Sequence, residues 1–179
     1  MLVLIVGPSG AGKDTLINAA RAALAGDKDF VFPRRVVTRA AIAAIEDHES
    51  VSAEQFALQE ANGAYALSWE AHGLRYGLPA SLLDDLAASR VVVVNGSRAM
   101  GAAVIDKFPG TRIILIEARP DVRAARLAGR GRESGTQIKE RLEREVPLPV
   151  PGAIRIDNSG TRDDGITKFL AALRALRHD

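Results

Sequence analysis

A short apolar run, Leu2 to Val6, breaks directly into the glycine-rich stretch GPSGAGKD, which leads into a helical pattern with Leu16, Ile17, Ala20 and Leu24 on one side. That order constrains the fold more than any other feature of the chain. A continuous apolar run of this length is the pattern of a parallel strand buried on both faces. The glycines allow the backbone to curl until successive N–H groups point inward, and the helix that follows adds the positive end of its dipole. A G-x-x-x-x-G-K loop between a buried strand and a helix is the context in which this motif cradles a polyphosphate. Gly7, Pro8, Ser9, Gly10, Ala11, Gly12, Lys13, Asp14 and Thr15 are therefore candidate nucleotide-binding residues. Lys13, placed to reach the β and γ phosphates, is also a candidate catalytic residue.

One position in the loop departs from the usual pattern. After the lysine a hydroxyl ordinarily serves as an inner ligand of Mg²⁺, and here the residue is Asp14. A carboxylate is also a hard oxygen donor, and Mg²⁺ is commonly held by one or two carboxylates together with phosphates. Asp14 is thus expected to be the metal ligand, with Thr15 as the nearby alternative hydroxyl. The expected nucleotide and metal are ATP and Mg²⁺. The competing reading is a damaged loop that no longer turns over.

The rest of the chain repeats the alternation of strand and helix. Further buried strands are expected at 91–94 (VVVV), 111–117 (TRIILIE) and 153–156 (AIRI), with helices over 81–88, 97–107, from Pro120 to Gly129, and around Ile166, Phe169, Leu170, Leu173 and Leu176. Alternation of this kind implies an α/β fold, a parallel sheet with helices on both faces. Residues 30–78 differ, with short strand-like pieces (FVF, RRVVT, YALSW, LRYG) and one helix opened by a capping box, Ser52 and Gln55. They read as a small insert in a single domain whose core is 1–29 and 79–179. GRGRESGT at 129–136 reads as a mobile lid, and Pro147, Pro149 and Pro151 end the helix after it.

Composition narrows the function classes. With 179 residues and no cysteine, the chain forms one domain without disulfides, thiol catalysis or thiolate metal sites. Its apolar stretches are too short to span a membrane, and Met1 runs straight into a strand with no basic leader, so a cytoplasmic protein is expected. A net charge of +2 leaves no nucleic-acid footprint. Nineteen of the 24 basic residues are Arg, seven of them between Arg119 and Arg144. Arg presents a planar fork suited to phosphate, although a coding bias also contributes to the excess.

GPSGAGK, RLAGRGRESGTQIKERL and GLRYG together resemble the guanylate-kinase branch of the P-loop kinases, along nearly the whole chain. Within that branch GPSGAGKD, ALSWEAHGLRYG and VVVVNGSRA are more similar to the ribose 1,5-bisphosphate phosphokinases. These use ATP to convert ribose 1,5-bisphosphate to 5-phosphoribosyl diphosphate in phosphonate degradation. The resemblance implies that Asp14 is that family's own form of the loop. It also implies a small sugar phosphate as the partner, with no nucleic acid and no membrane; it leaves the oligomeric state open. A guanylate kinase reads guanine with an acid near the position of Leu67, and carries Asp residues where Val93 and Asn95 stand here. Their replacement argues against a nucleoside monophosphate kinase, the main alternative. A silent binding domain, the third reading, has no use for a phosphate loop and lid arginines together.

By the same resemblance Arg126, Arg130 and Arg141 are catalytic lid arginines. Arg126 and Arg130 lie four apart on one helical face, so closure of the lid is expected to bring them over the phosphates. Arg132 is a further lid candidate, whereas Arg119, Arg123 and Arg144 are expected on a solvated face. Arg39 and Tyr76 match acceptor-phosphate contacts. Arg75 and Arg35 are expected to add charge to the acceptor pocket, and Arg34 is expected to be exposed. Asn95 and Ser97, beyond a strand's carboxyl end, sit where ligands bind in open α/β sheets. Asn158 matches an adenine-side contact. The Glu46-Asp47-His48-Glu49 cluster reads equally as ligand for ribose or metal and as an exposed acidic turn, Trp69 as core of the insert, His72 as a turn residue, and His178 as tail.

Overall fold

The computed structural model describes residues 1–39, 48–71, 73–96, 98–129 and 152–177. In chain order the elements are β1 (Leu2–Val6), α1 (Lys13–Ala23), β2 (Phe30–Val31), β3 (Arg35–Val37), β4 (His48–Ser50), α2 (Ala53–Ala61), β5 (Tyr65–Ala71) and β6 (Leu74–Pro79). They continue with α3 (Leu82–Ala87), β7 (Val91–Asn95), α4 (Arg98–Lys107), β8 (Arg112–Glu117), α5 (Pro120–Ala128), β9 (Ile154–Asp157) and α6 (Arg162–Leu176).

β1 is buried along its whole length because it is the middle of a parallel sheet of order β2-β7-β1-β8-β9 with a core on each face. Successive side chains of a strand point to opposite faces. Val3 and Ile5 accordingly join Val93, Ile114 and Ile116 beneath Leu16 and Ala20 of α1 and Phe169 and Leu173 of α6. Leu4 joins Val92 and Val94 beneath Leu82 of α3 and Met100 and Val104 of α4. Each fully buried side chain of this size contributes about 1.5–3 kcal/mol. The expected α/β class and its four main strands are present, as are the expected helices that fall within the described residues, with Pro120 at the start of α5 and Gly129 as its C-cap; the helix expected after the lid lies outside them.

The FVF segment does not join the insert, where it was expected. Phe30 and Val31 pair in parallel with Val91 and Val92 at the edge of the main sheet. Phe30 is buried in the core beneath α1, and so short a run carries no periodicity that distinguishes one sheet from another.

The second sheet has the order β4-β3-β6-β5. One face is covered by α2, whose fully buried Phe56 stacks on Tyr65 with ring centroids 4.5 Å apart. The Tyr65 ring in turn occupies the space a side chain at Gly77 would need. The capping box of α2 forms as expected: Gln55 N donates to Ser52 Oγ (3.1 Å) and Ser52 N to Gln55 Oε1 (3.0 Å). Leu67, Trp69 and Leu78, on the other face, pack into the core of the main sheet, so Trp69 joins the two sheets. Among the described residues no helix is long and apolar enough to cross a membrane.

Topology then sets where a ligand goes. β1 leads through α1 toward the β2 edge, whereas its neighbour β8 leads through α5 toward the β9 edge. Where adjacent parallel strands send their connections opposite ways, a crevice opens at their carboxyl ends.

Candidate active site

The glycine loop fills that crevice. Gly7 leaves β1 at φ 150°, and a Cβ there would stand 2.1 Å from the Ile116 carbonyl oxygen of β8. Gly12 enters α1 at φ 95°, with a virtual Cβ 2.5 Å from Asn158 Nδ2. Only glycine fits either place. Lys13, the first residue of α1, reaches back across the loop and donates from Nζ to Gly7 O (2.6 Å) and Pro8 O (3.2 Å). A phosphate oxygen, being charged, is a stronger acceptor for that ammonium than either carbonyl.

Three side chains hold the loop from the opposite side. Arg123 Nε donates to Ser9 O (2.9 Å), Arg126 donates from its guanidinium to Gly10 O (3.4 Å) and Ala11 O (3.3 Å), and Asn158 Nδ2 donates to Ala11 O (2.7 Å). A trans peptide is planar with its C=O and N–H on opposite sides. Pinning these carbonyls on one side therefore aims the Gly10 and Gly12 N–H groups to the other, where a polyphosphate would lie, while Ala11 N donates to Pro8 O (3.3 Å). Arg126 also donates to Asn158 O (2.9 Å), which ties α5 to the turn after β9.

This underside corrects one expectation and shows what two further residues touch. Arg123 is buried, at 8% exposure, and not on a solvated face: it shares the inward side of α5 with Leu127, one turn on. Arg126 is engaged with the loop's carbonyls and the Asn158 backbone. Asn158, at 4% exposure, is wedged between Ala11 and Gly165 of α6, whose Cβ would fall 2.0 Å from Asn158 Oδ1. It supports the loop from within. Arg123 is a loop-supporting residue that sequence reasoning missed, and its i, i+4 spacing with Leu127 was the available signal.

On the open side, Asp14 Oδ1 accepts a hydrogen bond from Asn95 Nδ2 (2.6 Å). Asn95 ends β7 on the face shared by Val91 and Val93, which is the α1 side, so a residue 81 positions away meets the first turn of α1. Thr15 is exposed. A single half-buried carboxylate at the mouth of a phosphate loop fits a Mg²⁺ shared with phosphates. The described residues contain no group of three or more acidic or histidine side chains that would cage a metal unaided.

A cavity continues from Asp14 and Asn95 along α1 to Arg35 of β3. The Arg35 guanidinium lies over the Tyr76 ring, 5.9 Å from its centroid, and Tyr76 stacks on Trp69 at 5.2 Å with an interplanar angle of 10°. Arg39, just beyond β3, is exposed, its backbone N donating to Val37 O (2.9 Å). Arg75 is not in this pocket, contrary to expectation. Side chains alternate along β6, and Arg75 turns to the α2 face, where it pairs with Glu60 and covers the Phe56 ring at 4.7 Å. A hydrogen bond from Ser68 holds the Glu60 carboxyl below the usual carboxylate range against the opposing effect of burial, and Arg75 adds a hydrogen bond and its charge. Glu70, paired with Arg75 in register, lies on that outer face too, and the inward position near Tyr76 is Leu67. Ser97, Arg130, Arg132, Arg141, Arg144, Glu46, Asp47, His72, His178, the three prolines and lid residues 130–136 lie outside the described residues. His48 and Glu49 form part of β4.

The phosphate loop at a topological switch point, faced by a second small sheet, defines a P-loop kinase fold. Solved structures agree with that class. A guanylate kinase from Anaplasma phagocytophilum covers 99% of this chain and 87% of its own at a TM-score of 0.68 and 19% identity. A gluconokinase from Sinorhizobium meliloti 1021 covers 98% and 93% at 0.54 and 17%. No protein-family profile matches the chain. Curated relatives go further than the fold. The ribose 1,5-bisphosphate phosphokinase PhnN of Agrobacterium fabrum is 48% identical over 97% of this chain and 96% of its own, and that of Brucella melitensis is 44% identical over 97% and 92%. The bifunctional ribose 1,5-bisphosphokinase-thymidine phosphorylase of Azorhizobium caulinodans is 50% identical over 98% of this chain. The chain spans about a quarter of that bifunctional protein, 26% of its length. The chain belongs to the ribose 1,5-bisphosphate phosphokinase family, a family of phosphotransferases.

Proposed function

We propose that the chain transfers the terminal phosphoryl group of ATP to the 1-phosphate of ribose 1,5-bisphosphate, giving ADP and 5-phosphoribosyl diphosphate. The observation that carries this reading is the cavity joining Asp14 at the phosphate loop to Arg35 of the second sheet, with Leu67 inward where a guanine kinase has its acid. The curated relatives of matching length support it through the substrate in their names. The guanylate-kinase likeness favours a nucleoside monophosphate as the alternative acceptor, and Leu67 opposes it.

The triphosphate docks on residues 7–15, against backbone N–H groups aimed by Arg123, Arg126 and Asn158. Lys13 leaves its carbonyl partners for the β and γ phosphates. Asp14 would hold Mg²⁺, which would supply charge neutralisation for the transfer. The acceptor's 1-phosphate lies within reach of Arg39 and Tyr76. Its oxygen forms a bond to the γ phosphorus while the bond from that phosphorus to the β–γ bridging oxygen breaks. No general base is required, because a phosphate monoester is largely ionised at neutral pH, its second pKa being about 6. Positioning and charge cancellation do most of the work in such a transfer. Arg130 and Arg141 complete the charge cancellation as the lid at 129–136 closes and excludes water.

The test is ³¹P NMR of the full chain with Mg·ATP and ribose 1,5-bisphosphate. The paired resonances of a diphosphate ester are expected to grow with those of ADP. Orthophosphate formed with the ADP, and no diphosphate ester, would contradict the reading.

A further inference from the structure

Among the described residues two arginines line the acceptor cavity, and one of them, Arg35, belongs to the second sheet. The other is Arg21, on α1. Asp14, Asn18 and Arg21 follow one another along the helix face that borders the cavity. Asp14 and Arg21 are seven residues apart, or about 10 Å along the axis. The Asp14 carboxylate thus stands at the phosphate-loop end of the cavity and Arg21 two turns further along α1, while Arg35 lines the wall that β3 contributes.

Both guanidiniums are held in place. Arg21 lies over the Phe32 ring, 5.8 Å from its centroid, and donates from Nη1 to Asn18 Oδ1 (3.2 Å). Arg35 lies over Tyr76. An aromatic ring engages the face of a guanidinium, whereas the N–H fork at its edge is what binds a phosphate in two places. Pro33 and aliphatic side chains make up much of the remaining wall, and among the described residues no aromatic ring lines the cavity to stack a base.

We infer that Arg21 and Arg35 together bind the second phosphate of the acceptor, the one that does not react. The inference rests on the proposed acceptor: with the 1-phosphate at the loop end, the 5-phosphate of a pentose falls at the Arg21 end. Arg21 thereby becomes a residue that selects a bisphosphate over a monophosphate. A purely structural role for it would be that of a cation in the last turn of a helix, which interacts favourably with the dipole. That role is indifferent to what occupies the cavity.

Titration calorimetry of the full chain with ribose 5-phosphate, in the presence of saturating Mg·ADP, separates the two. The wild type is expected to bind ribose 5-phosphate and not ribose. Arg21→Gln and Arg35→Gln are each expected to weaken binding about 10- to 100-fold, the loss typical of a charged hydrogen bond. Arg34→Gln, the same charge change on an exposed neighbour, should leave binding within about twofold. Arg21→Lys keeps the helix-end cation but loses the fork, so it should fall between wild type and Arg21→Gln. Unchanged binding in Arg21→Gln, wild-type binding in Arg21→Lys, or no binding of ribose 5-phosphate by the wild type would each overturn the inference. Turnover is a separate readout. A wild-type chain that binds ribose 5-phosphate through Arg21 but does not phosphorylate ribose 1,5-bisphosphate would refute the proposed reaction and leave the anion site standing.

Discussion

Asn158 and Gly165 show how far a single atom reaches in this site. A glycine inside a helix ordinarily gains about 1 kcal/mol when replaced by alanine. At Gly165 the added Cβ would stand 2.0 Å from Asn158 Oδ1, and Asn158 Nδ2 holds the Ala11 carbonyl of the loop. Gly165→Ala should therefore destabilise the chain by about 1–3 kcal/mol and raise the KM for Mg·ATP, read from thermal unfolding and steady-state kinetics. A stabilised variant with unchanged KM would contradict the wedge. Lys13→Ala should remove turnover with the unfolding midpoint kept within a few degrees. The loop itself was legible, since strand, glycines and lysine are contiguous. Its supports were not: Arg123 reads as a surface residue until α5 is seen to bury it, and Gly165 reads as a weak helix position until Asn158 is seen to need the space.

At the scale of elements, the insert is held together by α2 on its outer face. Phe56→Ala should cost about 3–5 kcal/mol, as expected for emptying a fully buried aromatic site. The same face carries the Glu60, Ser68 and Arg75 cluster. The Glu60 carboxyl lies below its ordinary range, so its stabilisation is fully present above an unfolded pKa of about 4.3 and is lost as pH falls through the lower folded value. With both partners about a third exposed, that contribution is about 0.5–1 kcal/mol after screening. Urea unfolding followed by Trp69 fluorescence should show Glu60→Gln less stable than wild type at pH 7, with the gap closing below about pH 4. An equal gap at pH 3 and pH 7 would remove Glu60 from the account. Alternation in β6 explains the Arg75 correction as well. Tyr76 and Arg75 are neighbours in sequence and therefore opposite in space, and the sequence alone does not reveal which of the two faces inward.

On the scale of the whole molecule, the main sheet brings distant parts to one place. Asn95 reaches Asp14 because β7 lies beside β1 and its odd-numbered residues face α1. The α/β class and the order of its elements follow from alternating apolar runs and were readable, whereas this contact depends on strand order, which no local pattern encodes. If Asp14 holds Mg²⁺, Asp14→Ala should raise the Mg²⁺ concentration for half-maximal rate by about tenfold or more, and Asn95→Ala should shift it in the same direction by less. Unchanged metal dependence in Asp14→Ala would take it off the ligand set.

The central claim concerns the acceptor, and an ADP-release assay with Mg·ATP tests it most directly. Ribose 1,5-bisphosphate, ribose 5-phosphate, GMP and AMP would be compared at equal concentration. The account predicts turnover with the bisphosphate alone. Comparable or faster turnover with GMP would contradict it, and would mean that Leu67 and the arginine-lined cavity still accommodate a purine nucleotide.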